Sequence, residues 1–126
     1  MKIALWIVQI LLAVAFFGAG FMKTVTPIAE LAVSYPYVLD IPVALTRFIG
    51  VAEIAGAIGV VLPALTRIQP RLTPLAAGGL GLVMIFAAIF HLTRGEFSGI
   101  VPNIILLALA GFVYYGRTKL APIAPR

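Results

Sequence analysis

Four long runs of apolar residues follow one another along the chain, and short stretches rich in proline and polar residues separate them. A helix needs about 20 apolar residues to cross a bilayer. The runs predict membrane-spanning helices over residues 3–22, 43–62, 74–92 and 99–116. A shorter stretch that starts at Pro27 predicts one interfacial helix. The fold class that follows is all-α, an integral membrane four-helix bundle with up-down-up-down topology, in which residues 1–126 form a single domain.

Proline and hydroxyl residues predict where these runs begin and end. Pro42 precedes the second run, and Pro63 is expected to stop it because proline cannot donate a helical hydrogen bond. Thr73 and Ser98 are expected to cap the third and fourth helices, since a hydroxyl oxygen can accept a hydrogen bond from a free N–H of the first turn.

Composition places the chain in lipid rather than in water. Hydrophobic residues make up 63% of the sequence and charged residues 10%, and the mean hydropathy is +1.16. An ordinary soluble domain carries about 25% charged residues. We therefore expect a multi-pass protein of a cell membrane, the bacterial inner membrane in particular.

The few basic residues are distributed unevenly among the predicted loops. Lys23 and Arg94 lie on one side of the predicted membrane, and Arg47 falls within a span. The other side holds Lys2, Arg67, Arg71, Arg117, Lys119 and Arg126. Basic residues in short loops favour the cytoplasm, which predicts that both termini are cytoplasmic. The net charge of +5 comes without a basic stripe interleaved with aromatics, so nucleic acid is not an expected partner.

Two charged residues lie inside the second span, where charge is costly. Arg47 lies about five residues from its outer end, roughly 7 Å deep, and Glu53 lies about 9 Å deeper, near the bilayer midplane. Gly50 lies between them in sequence and leaves room above Glu53. We expect Arg47 and Glu53 to meet across Gly50. Arg47 could instead extend to the interface and anchor the helix end.

Polar residues of two other spans fall in the same outer half. His91 lies near the outer end of the third span, and Asn103 lies in the first turns of the fourth. The cost of exposing such groups to lipid favours a shared polar pocket inside the bundle. The predicted pocket consists of Arg47, Gly50, Glu53, His91 and Asn103. A purely structural role remains the alternative for each, with Asn103 and Gln9 joining helices through packing and Arg94 and Glu96 forming a solvated loop pair.

Several kinds of chemistry are poorly supported by the sequence. One histidine and no cysteine cannot supply an ordinary zinc site, and the chain itself has no thiol for disulfide exchange. No serine lies in a nucleophile motif. We therefore expect no catalytic residues, no metal and no intrinsic cofactor.

Four segments resemble the DoxX-like family of small membrane proteins. They are "GFMK" at 20–23, "RFIGVAEIAGAIGVVLP" at 47–63, "MIFAAIFHLTRGE" at 84–96 and "PNIILLALAGFVYYGR" at 102–117. The family is similar to the small subunit of an archaeal thiosulfate:quinone oxidoreductase, and some bacterial relatives are associated with membrane oxidoreductase complexes. An animal relative is an assembly chaperone for neurotransmitter-gated channels. The resemblance places the family's polar signature on Arg47, Gly50, Glu53 and His91 and assigns them no reaction.

These observations leave three functions open. The first is an accessory subunit of a membrane oxidoreductase complex, which holds a quinone or another lipid-soluble molecule in the polar pocket and relies on a redox partner subunit with a flavin or metal. The second is a non-enzymatic membrane assembly factor, whose small-residue faces bind client helices. The third is a small proton-linked transporter that depends on Glu53. The lipid bilayer is the expected surrounding in each case, and a homo-oligomer is compatible with all three.

Overall fold

Four long helices form the computed structural model, which describes residues 1–125. They are α1 (Lys2–Val25), α3 (Val43–Thr66), α4 (Leu72–Thr93) and α5 (Phe97–Tyr115). The short helix α2 (Ile28–Ser34) and a 3₁₀ turn (Pro36–Leu39) connect α1 to α3, and a π-helical turn (Gly116–Leu120) extends α5. Residues 1–125 contain no β-strand. The all-α class and a short helix after Pro27 are confirmed, and the interfacial position of that helix stays a prediction.

All four predicted spans correspond to helices that are long and apolar enough to cross a membrane. Their ends extend beyond the predicted limits. Pro63 does not stop α3, which continues to Thr66 and ends where Arg67 adopts a left-handed conformation with φ 59°. The helix tolerates Pro63 because proline removes only one hydrogen bond near its end, and the Pro63 carbonyl still accepts from the Arg67 N–H.

Both predicted helix caps are wrong. The helix α4 begins a residue before Thr73, with Arg71 at its cap position. Thr73 is fully buried, and its hydroxyl has no hydrogen-bond partner among residues 1–125. The helix α5 begins at Phe97 with Glu96 at its cap position, so Ser98 lies inside the first turn. A hydroxyl residue close to a helix start was thus insufficient to locate that start.

Small residues show that neighbouring helices run antiparallel. A Cβ atom added to Gly20 of α1 would lie 2.6 Å from the carbonyl oxygen of Gly50 in α3, and Gln9 of α1 bonds the carbonyl of Val60 further along α3. A Cβ atom on Gly59 of α3 would lie 2.7 Å from the Ala76 Cβ of α4. Such close approach is typical of membrane bundles, in which packing rather than the hydrophobic effect joins helices.

The apolar core lies where the four long helices meet, and each of them contributes large side chains. They are Leu12, Phe16, Val60, Leu80, Met84 and Val113. Large apolar side chains also cover the outside of the bundle, as for Phe48, which is 69% exposed, and Phe86, which is 63% exposed. An apolar exterior on helices of spanning length defines a multi-pass membrane protein. The side of the membrane that holds the termini stays a prediction.

Candidate functional site

The two ends of the bundle carry different side chains. We call the loop end the one formed by residues 26–42 and 94–96, which an Arg94–Asp40 ion pair joins. We call the basic end the one formed by residues 67–71 and by the C-terminal segment, residues 117–125. The Arg67 Nε joins the two parts by donating to the Ala124 carbonyl at 3.1 Å. The predicted polar residues lie toward the loop end.

The centre of the polar site is an ion pair between two helices. The Lys23 Nζ of α1 donates to the Glu53 Oε1 of α3 at 2.8 Å. Both side chains are buried, at 8% and 2% exposure. Since an isolated charge in a membrane interior is costly, each group compensates the other.

The close crossing of α1 and α3 places these two side chains together. Gly20 and Gly50 meet back to back at the crossing. Lys23 lies three residues after Gly20, and Glu53 lies three residues after Gly50, so each charged side chain stands about one helical turn from the crossing point. Any side chain at either glycine would separate the helices.

Arg47 stabilises the end of α1. Its Nη1 donates to the carbonyl of Lys23 at 3.0 Å and to the carbonyl of Thr26 at 2.7 Å. These carbonyls belong to the last turn of α1, where helical partners are missing and the helix dipole favours a cation. Arg47 therefore acts on the backbone of α1 rather than on a carboxylate.

The predicted Arg47–Glu53 pair is therefore wrong. Within residues 1–125, Glu53 pairs with Lys23 and Arg47 bonds backbone carbonyls. The physical reason is that Lys23 of α1 binds Glu53 and fills the space above Gly50 that Arg47 would need. Lys23 links the two residues all the same, because its carbonyl binds Arg47 and its ammonium binds Glu53.

Two tyrosines of the α1–α3 connection cover the ion pair. The Lys23 Nζ lies 4.7 Å from the centre of the Tyr35 ring, within cation–π range. Tyr37 is half-buried beside it, and burial raises the pKa of its hydroxyl, with the Lys23 ammonium opposing this shift. Neither tyrosine was among the predicted site residues.

His91 joins the site through Tyr37. The two rings meet edge to face with 5.9 Å between their centres. On its other side, the His91 Nδ1 lies 3.2 Å from the Glu96 Oε1. Gly99 of α5 leaves the room for this ring, since a Cβ atom there would lie 2.9 Å from the His91 Cε1.

A surface cluster continues outward from His91. Arg94 donates from Nε to the Glu96 Oε1 at 2.9 Å and from Nη1 to Asp40, which confirms the predicted Arg94–Glu96 pair. The Arg94 hydrogen bond is the main reason why the pKa of Glu96 lies below its usual value, and His91 lowers it further. The hydrogen bonds that Arg94 donates to Asp40 and Glu96 raise the pKa of Arg94 in turn.

Asn103 does not join these contacts. It is 9% exposed, and its Nδ2 has no hydrogen-bond partner within residues 1–125. The structure therefore brings Arg47, Gly50 and Glu53 together around Lys23, connects His91 through Tyr37, and places Asn103 apart.

Lys23 is the central residue that the sequence-based prediction missed as a site residue. It was counted as a loop charge, yet it lies in the last turn of α1 and is 7% exposed. A signal was present: "GFMK" places a base three residues after a glycine, just as "GVAE" places an acid three residues after a glycine. In antiparallel helices that cross at these glycines, Lys23 and Glu53 lie about one turn to either side of the crossing, and because helical side chains lean toward the N-terminus both lean back toward it and meet there.

Arg117 was likewise predicted as a loop charge and is buried, at 5% exposure. Its Nε donates to the Gln9 Oε1 at 2.7 Å, and the Gln9 Nε2 donates to the Val60 carbonyl at 2.6 Å. The predicted packing role of Gln9 is thus extended by two hydrogen bonds. Across residues 1–125, no three histidine, cysteine or carboxylate side chains gather in a group that could hold a metal ion.

The fold and the buried Lys23–Glu53 pair define a small four-helix integral membrane protein with a polar site between its helices. Comparison with protein families makes this class specific. The model of the DoxX-like family matches residues 7–113, and the chain belongs to this family. No curated protein and no solved structure matched the chain.

Proposed function

We propose that this DoxX-like protein is an accessory subunit of a membrane oxidoreductase complex and holds a quinone-like molecule beside the Lys23–Glu53 pair. The observation that carries the proposal is the pair itself, buried between α1 and α3 under Tyr35 and Tyr37. A bundle of this size has no structural need for it, since apolar residues of similar volume stabilise a buried contact at least as well.

The Lys23–Glu53 pair is balanced in charge, and the residues around it have spare hydrogen-bonding groups. A lysine ammonium has three N–H donors, and Glu53 takes one of those of Lys23. The His91 Nδ1 faces Glu96. Its Nε2 has no hydrogen-bond partner among the residues described and is available to a ligand. Balanced charge and spare donors suit a neutral ligand with carbonyl oxygens, and a quinone ring is such a ligand.

Each residue has a role in this proposal. Lys23, Tyr37 and His91 donate hydrogen bonds to the quinone carbonyls, and Glu53 holds Lys23 in position. The apolar tail lies along the lipid-facing surface of the bundle. Reduction of a quinone takes two electrons and two protons; a partner subunit with a flavin or a metal supplies the electrons, and water at the loop end supplies the protons.

The test is mass spectrometry of proteins and extracted lipids after purification from the native membrane in mild detergent. Native protein, Glu53→Gln and the control Glu30→Gln are compared. Glu30 is exposed, so its substitution should leave binding intact. We expect native protein and control to retain a quinone and an oxidoreductase subunit. Loss of a hydrogen bond to a charged group costs about 1.5–3 kcal/mol. We therefore expect Glu53→Gln to retain at least about tenfold less quinone than the native protein.

A second variant separates binding from folding. Lys23→Met combined with Glu53→Leu removes both charges and keeps the volume, so it should fold and yet lose the quinone. Equal quinone retention in all variants, or phospholipid alone in the native protein, would contradict the proposal.

An assembly factor is the second candidate, because the bundle has an apolar groove on its outside. The groove has a volume of about 590 Å³ and lies between α1 and α3, with Ala13, Phe17, Gly18 and Ile58 among its lining residues. Gly18 has open space around it, so a client helix could approach closely there. Retention of one membrane protein by the native chain and by Glu53→Gln alike, with its loss in Gly18→Leu, would favour this function.

A further inference from the structure

The basic end of the bundle contains a second, separate cavity. It has a volume of about 730 Å³ and lies between residues 67–71, which connect α3 to α4, and the C-terminal segment. Three arginines line it: Arg67, Arg71 and Arg117. No acidic side chain is among its lining residues in the part of the chain that the structure describes.

The distribution of charge along the chain makes this cavity unusual. The chain has four acidic residues, Glu30, Asp40, Glu53 and Glu96. Asp40, Glu53 and Glu96 bind basic groups at the loop end, and Glu30 lies in α2 at the same end. The arginines of the cavity are therefore left without a carboxylate side chain.

Arg117 adds an observation that points to a ligand. It is buried, with Nε bonded to Gln9, Nη1 bonded to the Ala121 carbonyl, and the guanidinium carbon 5.5 Å from the centre of the Trp6 ring. Its Nη2 is buried and has no partner within residues 1–125. A buried guanidinium that has a free donor and no counter-charge among residues 1–125 is costly unless an anion completes it.

We propose that this cavity binds a phosphate-type oxyanion, carried either by the headgroup of an anionic phospholipid or by a free phosphate compound. Guanidinium groups match phosphate oxygens in charge and in the geometry of paired N–H donors. Basic pockets at the ends of membrane helices are suited to anionic headgroups. Gln69 also lines the cavity, and its side-chain amide is an uncharged donor.

The proposal is tested by native mass spectrometry of the protein released from nanodiscs of phosphatidylcholine and phosphatidylglycerol. Arg71→Gln is the main variant, because Arg71 is exposed and lines the cavity. Lys119→Gln is the matched control, because Lys119 is exposed and close in sequence to the C-terminal lining residues but is not one of them. Arg117→Lys keeps the charge and removes the free Nη2 donor.

We expect the native protein and Lys119→Gln to retain phosphatidylglycerol in preference to phosphatidylcholine. Arg71→Gln should retain about fivefold less of it, since one basic residue near an anionic surface contributes about that factor. Arg117→Lys should also retain less while its helix content stays native. Equal retention of the two lipids by the native protein would exclude the lipid headgroup as the source, and an equal loss in Lys119→Gln would overturn the proposal.

A second arm distinguishes the two sources of the phosphate. The same protein in phosphatidylcholine alone is titrated with inorganic phosphate, and the fluorescence of Trp6, which stacks on Arg117, reports binding. A saturable change that Arg71→Gln weakens would assign the site to a free phosphate compound, whereas lipid preference without this change assigns it to a headgroup. The absence of both the lipid preference and the fluorescence change would overturn the proposal.

Discussion

The loop end and the basic end of this bundle differ in how the charges of their basic side chains are compensated. At the loop end, Lys23 pairs with Glu53, and Arg94 pairs with Glu96 and Asp40. At the basic end, three arginines line one cavity without an acidic side chain beside them in residues 1–125. A balanced end suits a neutral ligand, and an unbalanced end suits an anion. The charge of each proposed ligand thus follows from the charge of its site.

The largest effect is expected from breaking the balance at the loop end. Glu53→Ala leaves the Lys23 ammonium buried without a counter-charge, and loss of one partner of a buried pair costs about 3–5 kcal/mol. We expect the free energy of unfolding to fall by this amount in mixed-micelle denaturation. Glu30→Ala, at an exposed position of the same end, should change it by less than about 0.5 kcal/mol. Equal losses in the two variants would show that the Lys23–Glu53 pair contributes no more to stability than an exposed glutamate does.

The crossing of α1 and α3 is the next most sensitive feature. A Cβ atom at Gly50 would lie 2.7 Å from the Gly20 carbonyl oxygen, and this backbone atom cannot move aside without shifting the helix. We expect Gly50→Ala to destabilise the protein by up to about 3 kcal/mol through overpacking.

Gly18→Ala is the matched control for this crossing, because a Cβ atom there has nothing within 4 Å. Alanine has a higher helix propensity than glycine, so this variant should be neutral or more stable by up to about 1 kcal/mol. A Gly50→Ala protein as stable as Gly18→Ala would show that the helices do not depend on this contact to hold Lys23 against Glu53.

At the basic end, Gln9 is the group that holds Arg117 inside the bundle. Gln9→Leu removes the acceptor of the Arg117 Nε and leaves a second donor of a buried guanidinium unpaired. We expect a loss of about 2 kcal/mol. Trp6 is the one tryptophan of the chain and lies on Arg117, so its fluorescence should report the change. An unchanged spectrum and unchanged stability would mean that Arg117 does not depend on Gln9.

The smallest effect concerns pH at the loop end. Hydrogen bonds from Arg94 and His91 hold the pKa of Glu96 below its usual value. A lowered pKa in the folded protein means that this contribution to stability is complete above the ordinary glutamate pKa of about 4.3 and is lost as pH falls through the lowered value. Amide hydrogen exchange at residues 92–97, corrected for intrinsic rates, should therefore accelerate in acid.

Glu96→Gln is the control for this pH effect. It lacks the titrating carboxyl, so its exchange should be faster at neutral pH and should lose the part of the acid response that Glu96 supplies. The same acid response in native protein and in Glu96→Gln would assign the effect to another group, such as Asp40, which also faces Arg94.

The sequence was sufficient to predict the four spans, because the length of an apolar run is a property of one segment at a time. It was insufficient for the Lys23–Glu53 pair. The angle between Arg47 and Glu53 around α3 does not show which neighbouring helix places a side chain beside Glu53. The partner of Glu53 depends on the crossing of Gly20 and Gly50, which is a contact between segments 30 residues apart. Gly50 was predicted to leave room for Arg47 to meet Glu53, but the space above it holds Lys23 of α1.

Arg117 shows the same limit at the other end. A count of basic residues treats any arginine near a helix end as exposed, and only the position of Gln9 on the neighbouring α1 shows that this one is buried. Helix ends were imprecise for a related reason. Pro63 and Thr73 carry local signals, whereas the ends of α3 and the start of α4 follow the geometry of the connection between them.

The most direct test of the account is one mass-spectrometric measurement of both proposed ligands in the native protein, Glu53→Gln and Arg71→Gln. We predict a crossed pattern: Glu53→Gln loses the quinone and keeps the anionic phospholipid or phosphate compound, whereas Arg71→Gln keeps the quinone and loses the anion. Loss of both molecules in both variants, or of neither molecule in either, would contradict the claim that the two ends are separate sites with ligands set by their charge.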